Sequence, residues 1–98
     1  MSKNLTKTEK KIKEIIYSFL DPKKYIVFIF GSRATNKAKK FSDYDIGIIG
    51  KKALPWHLLA EIEEAFEDSD LPYKIEVVDF ANVPRNFKKI ALKKIKKL

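Results

Sequence analysis

Apolar and polar positions in this chain follow two different spacings, and each switch between them marks a new element. Ile12, Ile15, Ile16, Phe19 and Leu20 recur at helical spacing after Leu5, which predicts a first helix with one apolar face. Thr6, with Glu9 three residues later, reads as the capping box that starts it. Asp21-Pro22 ends it, because the residue before a proline is pushed away from helical angles. The spacing then changes. Tyr25 to Phe30 is an unbroken run of β-branched and aromatic residues, too short for a helix, and predicts a strand buried on both faces.

Gly31-Ser32 follows directly, and the polar stretch 33–40 has room for one short helix. Phe41 to Ile49 predicts a second strand, stopped by Gly50. Pro55 suits the first turn of another helix, whose buried stripe is Leu58, Leu59, Ile62, Ala65 and Phe66. Glu67 to Asp70 and Leu71-Pro72 close that helix, and Tyr73 to Phe80 predicts a third strand. Asn82 is placed to cap a last helix with Pro84 in its first turn and Phe87, Ile90, Ala91, Ile95 and Leu98 facing the core. Helices interleaved with strands predict an α/β (α+β) class, with one small β-sheet flanked by helices. The short link between the first two strands permits antiparallel pairing.

Length and composition narrow the picture. Ninety-eight residues fit one domain, 1–98. A hydrophobic share of 45% with twelve aromatics argues for a packed core rather than disorder. No apolar run reaches the ~20 residues that span a bilayer, and the start of the chain lacks the apolar stretch of a signal peptide. The absence of cysteine excludes disulfides and thiolate metal sites. A cytoplasmic location is the expectation. The net charge of +8 favours polyanions such as nucleotide phosphates or an acidic partner. Only Arg33 and Arg85 accompany the lysines, however, and base-specific readers lean on arginine. Much of the charge is expected to be a solvated face, including Lys88, Lys89, Lys93, Lys94, Lys96 and Lys97 around the last helix.

The chemistry-bearing residues begin with Asp43 and Asp45. Two apart on a strand, they project from one face, where their repulsion is costly unless a cation lies between them. With oxygen ligands only, the ion to expect is a hard one, Mg²⁺ or Mn²⁺. Taken alone, such a pair reads equally as solvated residues at a frayed strand end. Gly31-Ser32 after a buried strand allows a tight turn whose amides and hydroxyl can face a phosphate, with Arg33 beside it. By itself that is an ordinary turn. His57, next to Trp56, is expected at the surface, and Trp56 over the edge of the core.

In combination these pieces form the pattern GSx₁₀DxD, a phosphate-gripping turn leading to two metal-binding acids. From Phe30-Gly-Ser-Arg-Ala34 through Lys40-Phe-Ser-Asp-Tyr-Asp-Ile-Gly-Ile48 the chain resembles the DNA polymerase β-type nucleotidyltransferases, and more narrowly the minimal nucleotidyltransferases. The resemblance implies that Gly31 and Ser32 bind a triphosphate with help from Arg33, and that Asp43 and Asp45 ligate two Mg²⁺ (or Mn²⁺) ions. It implies a third acid on the next strand, for which Glu76 is the candidate and Asp79 the alternative; many relatives carry Asp where this chain has Glu76. It further implies transfer of a nucleoside monophosphate, AMP from ATP, to an acceptor hydroxyl on a partner. The partner it implies is a helical HEPN-type protein, in a toxin–antitoxin pair and as part of a homodimer or hetero-oligomer. A non-catalytic nucleotide-binding antitoxin and a small basic nucleic-acid-binding module are the competing expectations.

Overall fold

The computed structural model describes residues 5–35, 37–40 and 42–98. The predicted capping box is present: Glu9 N–H donates to Thr6 Oγ1 at 3.1 Å, and Thr6 N–H donates to Glu9 Oε1 at 2.9 Å. The helix it starts, α1, spans Lys7–Tyr17. It stops before Asp21-Pro22, and the N–H groups of Phe19 and Leu20 turn back onto the Ile16 carbonyl. Leu20 thereby stays in the core although it is no longer helical.

Strand β1 (Tyr25–Phe30) runs into a single 3₁₀ turn, Gly31–Arg33, and the chain returns as β2 (Tyr44–Gly50). Among its described residues the return forms no α-helix to carry a crossover, and β1 and β2 pair antiparallel, from Tyr25 opposite Gly50 to Phe30 opposite Asp45. Helix α2 (Trp56–Glu67) then carries the chain back to β3 (Ile75–Asp79), which pairs parallel with β2. Helix α3 (Arg85–Ala91) leads to β4 (Lys96–Lys97), antiparallel to β1 on the other side. The sheet order is β3-β2-β1-β4, a mixed sheet flanked by helices as expected.

Strand alternation divides the core in two. Val27 and Ile29 of β1, Tyr44, Ile46 and Ile48 of β2, and Val77 of β3 face α1 and α2, meeting Ile12, Ile16, Ile62 and Phe66. On the other face Phe28, Phe30 and Phe80 pack under α3 and the residues around it. Their rings meet edge to face, 5.0 Å apart for Phe28 with Phe80 and 5.2 Å for Phe30 with Phe80. Gly47 lies between them, and a Cβ there would run into the Phe28 ring.

Several expectations are corrected. Burial of β1 on both faces holds only from Val27 onward; Ile26 is 44% exposed because the short α3 leaves that end of its face open. The predicted start of the second strand at Phe41 lies outside the described residues, and the strand is observed from Tyr44. No α-helix forms among the described residues of 33–40. Asn82 does not cap α3: Pro84 holds the capping position, and the Asn82 N–H turns onto the Asp79 carbonyl at 3.3 Å. The last helix is shorter than predicted, leaving Ile90 68% exposed rather than core-facing. Lys96 and Lys97 belong to β4 instead. There the Lys96 ammonium donates to Glu9 Oε1 at 2.6 Å, while the Leu98 N–H reaches the Val27 carbonyl at 2.9 Å. Trp56 does not cover the core edge and is 82% exposed, beside the exposed His57.

Candidate active site

The site forms where β1 ends and β2 begins. Phe30, Asp45 and Glu76 stand in register across β1, β2 and β3, so their side chains share the α3 face of the sheet. Gly31 follows Phe30 with φ of 73°, a left-handed conformation open to glycine at little cost. A Cβ on Gly31 would collide with the Asp45 carboxylate. The turn and the acid are therefore in direct apposition. The Gly31 carbonyl accepts from Ala34 N–H at 3.0 Å and the Ser32 carbonyl from Lys37 N–H at 3.1 Å, which fixes the turn. The Ser32 hydroxyl enters no hydrogen bond among the described residues.

The electrostatics of Asp45 report crowding. Its carboxyl is raised above the ordinary value, first by burial, then by the charges of Glu76 and Asp43 and by a hydrogen bond with Glu76. Asp43 precedes β2 and is exposed, close enough for its charge to act on Asp45. Asp45 and Glu76 are thus brought together, with Asp43 at the mouth. Among the described residues, no three Asp, Glu or His side chains close on one point as a finished metal cage.

Asp79, the alternative third acid, is occupied elsewhere. Its Oδ2 accepts from Leu54 N–H at 2.7 Å and its Oδ1 from Ala81 N–H at 3.0 Å. It ties the loop before α2 to the end of β3 and alternates to the opposite face from Glu76. Glu76 is exposed, its carboxylate 3.3 Å from the Lys74 ammonium. That is a surface pair, which holds either side chain only weakly.

Arg33 is not brought to the acids. Its guanidinium lies over the rings of Tyr44 and Tyr73, 4.3 Å and 5.0 Å from their centroids. Its Nη2 donates to the carbonyls of Ser42 at 2.8 Å and Lys40 at 3.4 Å. Tyr44 faces α1 and α2, so Arg33 braces the loop before Asp43 from the far side of the sheet. Sequence spacing missed the two tyrosines as its platform. The available signal was Tyr44, the aromatic residue between the two aspartates.

Comparison with known proteins places the chain in a family and a fold. The family described as "Polymerase beta, Nucleotidyltransferase" matches residues 10–98. A curated relative, "Probable protein adenylyltransferase MntA" of Haemophilus influenzae, is 41% identical over 69 residues. That stretch is 70% of this chain and 60% of the relative, so the chain spans less than two thirds of that protein. Among solved structures, a "toxin-antitoxin with AMP-PNP" superposes with a TM-score of 0.67 at 19% identity, covering 94% of this chain and 72% of the other. A "tri-AMPylated Shewanella oneidensis HEPN toxin in complex with MNT antitoxin" gives 0.60 at 19% identity, covering 92% and 67%. At such identities these two likenesses speak for the fold. The family match extends over nearly all of the chain, strands and site included: the protein belongs to the polymerase beta nucleotidyltransferase family.

Proposed function

We propose that the protein is a metal-dependent nucleotidyltransferase that moves AMP from ATP to a hydroxyl group on a partner protein. The observation that carries this reading is the register pair Asp45–Glu76 set against the Gly31 turn. A phosphate-binding turn and a crowded carboxylate pair are the two parts that nucleotidyl transfer requires of a protein.

The donor set suits Mg²⁺ or Mn²⁺. All its ligands are carboxylate oxygens, and a cation would offset the burial and the neighbouring negative charges that raise Asp45. Asp43, Asp45 and Glu76 would hold two such ions, which when bound would neutralise triphosphate charge and acidify the acceptor hydroxyl. The remaining work falls to the chain. Gly31 and Ser32 grip the triphosphate through backbone N–H groups and the Ser32 hydroxyl. Glu76 takes the acceptor's proton as the acceptor oxygen bonds to the α-phosphorus. The bond from the α-phosphorus to the α,β-bridging oxygen breaks, and pyrophosphate leaves with those electrons. Arg33 contributes indirectly, by holding the loop that presents Asp43.

The partner in this reading is a helical HEPN-type protein, with the present chain as its antitoxin. The adenylyltransferase named among its relatives and the HEPN complexes among its structural neighbours support that choice. The net charge of +8 suits an acidic partner surface. No helix among the described residues is long and apolar enough to cross a membrane, and a cytoplasmic setting goes with this reading. The test is to incubate the protein with ATP labelled on the α-phosphate, Mg²⁺ and a HEPN-type protein from the same source. Label is expected on the partner, and not when Asp45→Asn replaces the wild type. Equal labelling by the two would overturn the reading.

A further inference from the structure

Among the described residues strand β3 lies at one edge of the sheet, so one of its two rows of backbone hydrogen-bonding groups has no neighbouring strand there. The bonds at the ends of its ladder run from Tyr44 N–H to the Lys74 carbonyl (3.0 Å) and from Phe80 N–H to the Ile48 carbonyl (2.9 Å). Even-numbered residues therefore turn their backbone groups toward β2. Alternation directs the N–H and C=O of Ile75 and Val77 outward. None of the other hydrogen bonds among the described residues reaches those four groups.

A groove of about 660 Å³ follows this edge, lined by Glu63, Phe66 and Glu67 of α2, by Leu71, and by β3 residues that include Ile75 and Glu76. Residues from both faces of β3 line it, as expected of a groove that lies along the edge itself. Its lining mixes apolar side chains such as Phe66, Leu71 and Ile75 with Glu63, Glu67 and Glu76 against one cation, Lys74, which is paired with Glu76. This is an acidic groove on a chain of net charge +8.

We propose that the β3 edge docks the acceptor: an extended segment of the acceptor protein adds to the sheet beside β3, with basic residues flanking the hydroxyl to be modified. The inference rests on the nucleotidyltransferase reading and names the substrate class of that site. An added strand lies about 4.8 Å from β3, and its side chains alternate as those of β3 do. The residue in register with Glu76 then projects on the face that holds Asp45 and Glu76. That position is where an acceptor hydroxyl must lie. Its two neighbours project on the face of α2, where Glu63 and Glu67 meet Lys or Arg. The groove thus selects a basic residue, a hydroxyl residue and a second basic residue in an extended conformation.

Short synthetic peptides with a central Tyr, Ser or Thr between two arginines serve as the probe, with glutamate-flanked versions as controls. In hydrogen exchange, the Ile75 and Val77 amides are expected to gain at least tenfold protection with the arginine-flanked peptides and none with the controls. Ile75→Pro removes one outward N–H at the first strand position, where proline is tolerated. It is expected to abolish both the protection at Val77 and label transfer to peptide. Replacing Glu63 and Glu67 together by Lys leaves the sheet untouched and is expected to shift preference to the glutamate-flanked peptides. The rise in Tm with ATP and Mg²⁺ is read separately. If wild-type Tm rises but the β3 amides stay unprotected, or if transfer ignores these variants, strand docking is overturned alone. If ATP and Mg²⁺ leave the wild-type Tm unchanged, the nucleotidyltransferase reading itself has failed.

Discussion

Asp45 of β2 stands opposite Glu76 of β3 in the parallel ladder, where burial and then the Glu76 charge raise the Asp45 carboxyl above its ordinary value. Burial and neighbouring negative charge both oppose ionisation, so Asp45 carries its negative charge at a cost. Because the Asp45 pKa is raised on folding, the folded chain binds that proton more tightly than the unfolded chain does. The associated stability is present in full below the unfolded value of 3.8 and is lost as pH rises through the folded value. Without divalent ions, wild-type Tm is therefore expected to fall across that window. Asp45→Asn should remove the fall and raise Tm at neutral pH by a few degrees. Thermal melts from pH 3 to pH 8 with a chelator present check this.

Glu76 and Asp79 separate function from support. Glu76→Gln removes a charge that weighs on Asp45 and is expected to hold or slightly raise Tm while lowering transfer by roughly 100-fold or more, the scale of a lost general base. Asp79→Ala removes the acceptor for two backbone N–H groups and is expected to cost about 1–3 kcal/mol of stability. The folded fraction of that variant should still transfer AMP. Paired measurements of Tm and turnover distinguish the roles.

Gly31→Ala combines an unfavourable backbone angle with a collision against the Asp45 carboxylate. The angle alone costs roughly 1–2 kcal/mol in a residue bearing a Cβ. Denaturant unfolding should register at least that loss, and nucleotide binding should weaken with it.

Arg33→Lys discriminates between bracing and phosphate contact. Lysine keeps the charge but loses the planar stack on Tyr44 and Tyr73 and the reach to the Ser42 carbonyl. A fall in Tm is expected, with KM for ATP little changed in the folded protein. An unaltered Tm with a raised KM would assign Arg33 to the phosphates instead.

The sheet's central strands were legible because their signals are local. Tyr25 to Phe30 is a contiguous apolar run, and the capping box at Thr6 and Glu9 needs only helical spacing. The apposition of Gly31 and Asp45 was legible through a fixed interval, once both ends were read as parts of one pattern. What escaped depends on contacts distant in the chain. Lys96 and Lys97 carry no strand signal; their strand forms against β1, and Lys96 reaches Glu9 at the other end of the chain. Arg33 sits where a phosphate ligand was expected, but Tyr73, far along the sequence, claims its guanidinium from the opposite face.

The central claim is that the acids on β2 and β3 jointly bind divalent cation with nucleotide. Electron paramagnetic resonance of Mn²⁺, titrated with a non-hydrolysable ATP analogue and the protein, measures this without an acceptor. Tightly bound Mn²⁺ is expected with the wild type and a large loss of it with Asp45→Asn or Glu76→Gln. Equal Mn²⁺ binding by all three proteins would contradict the account.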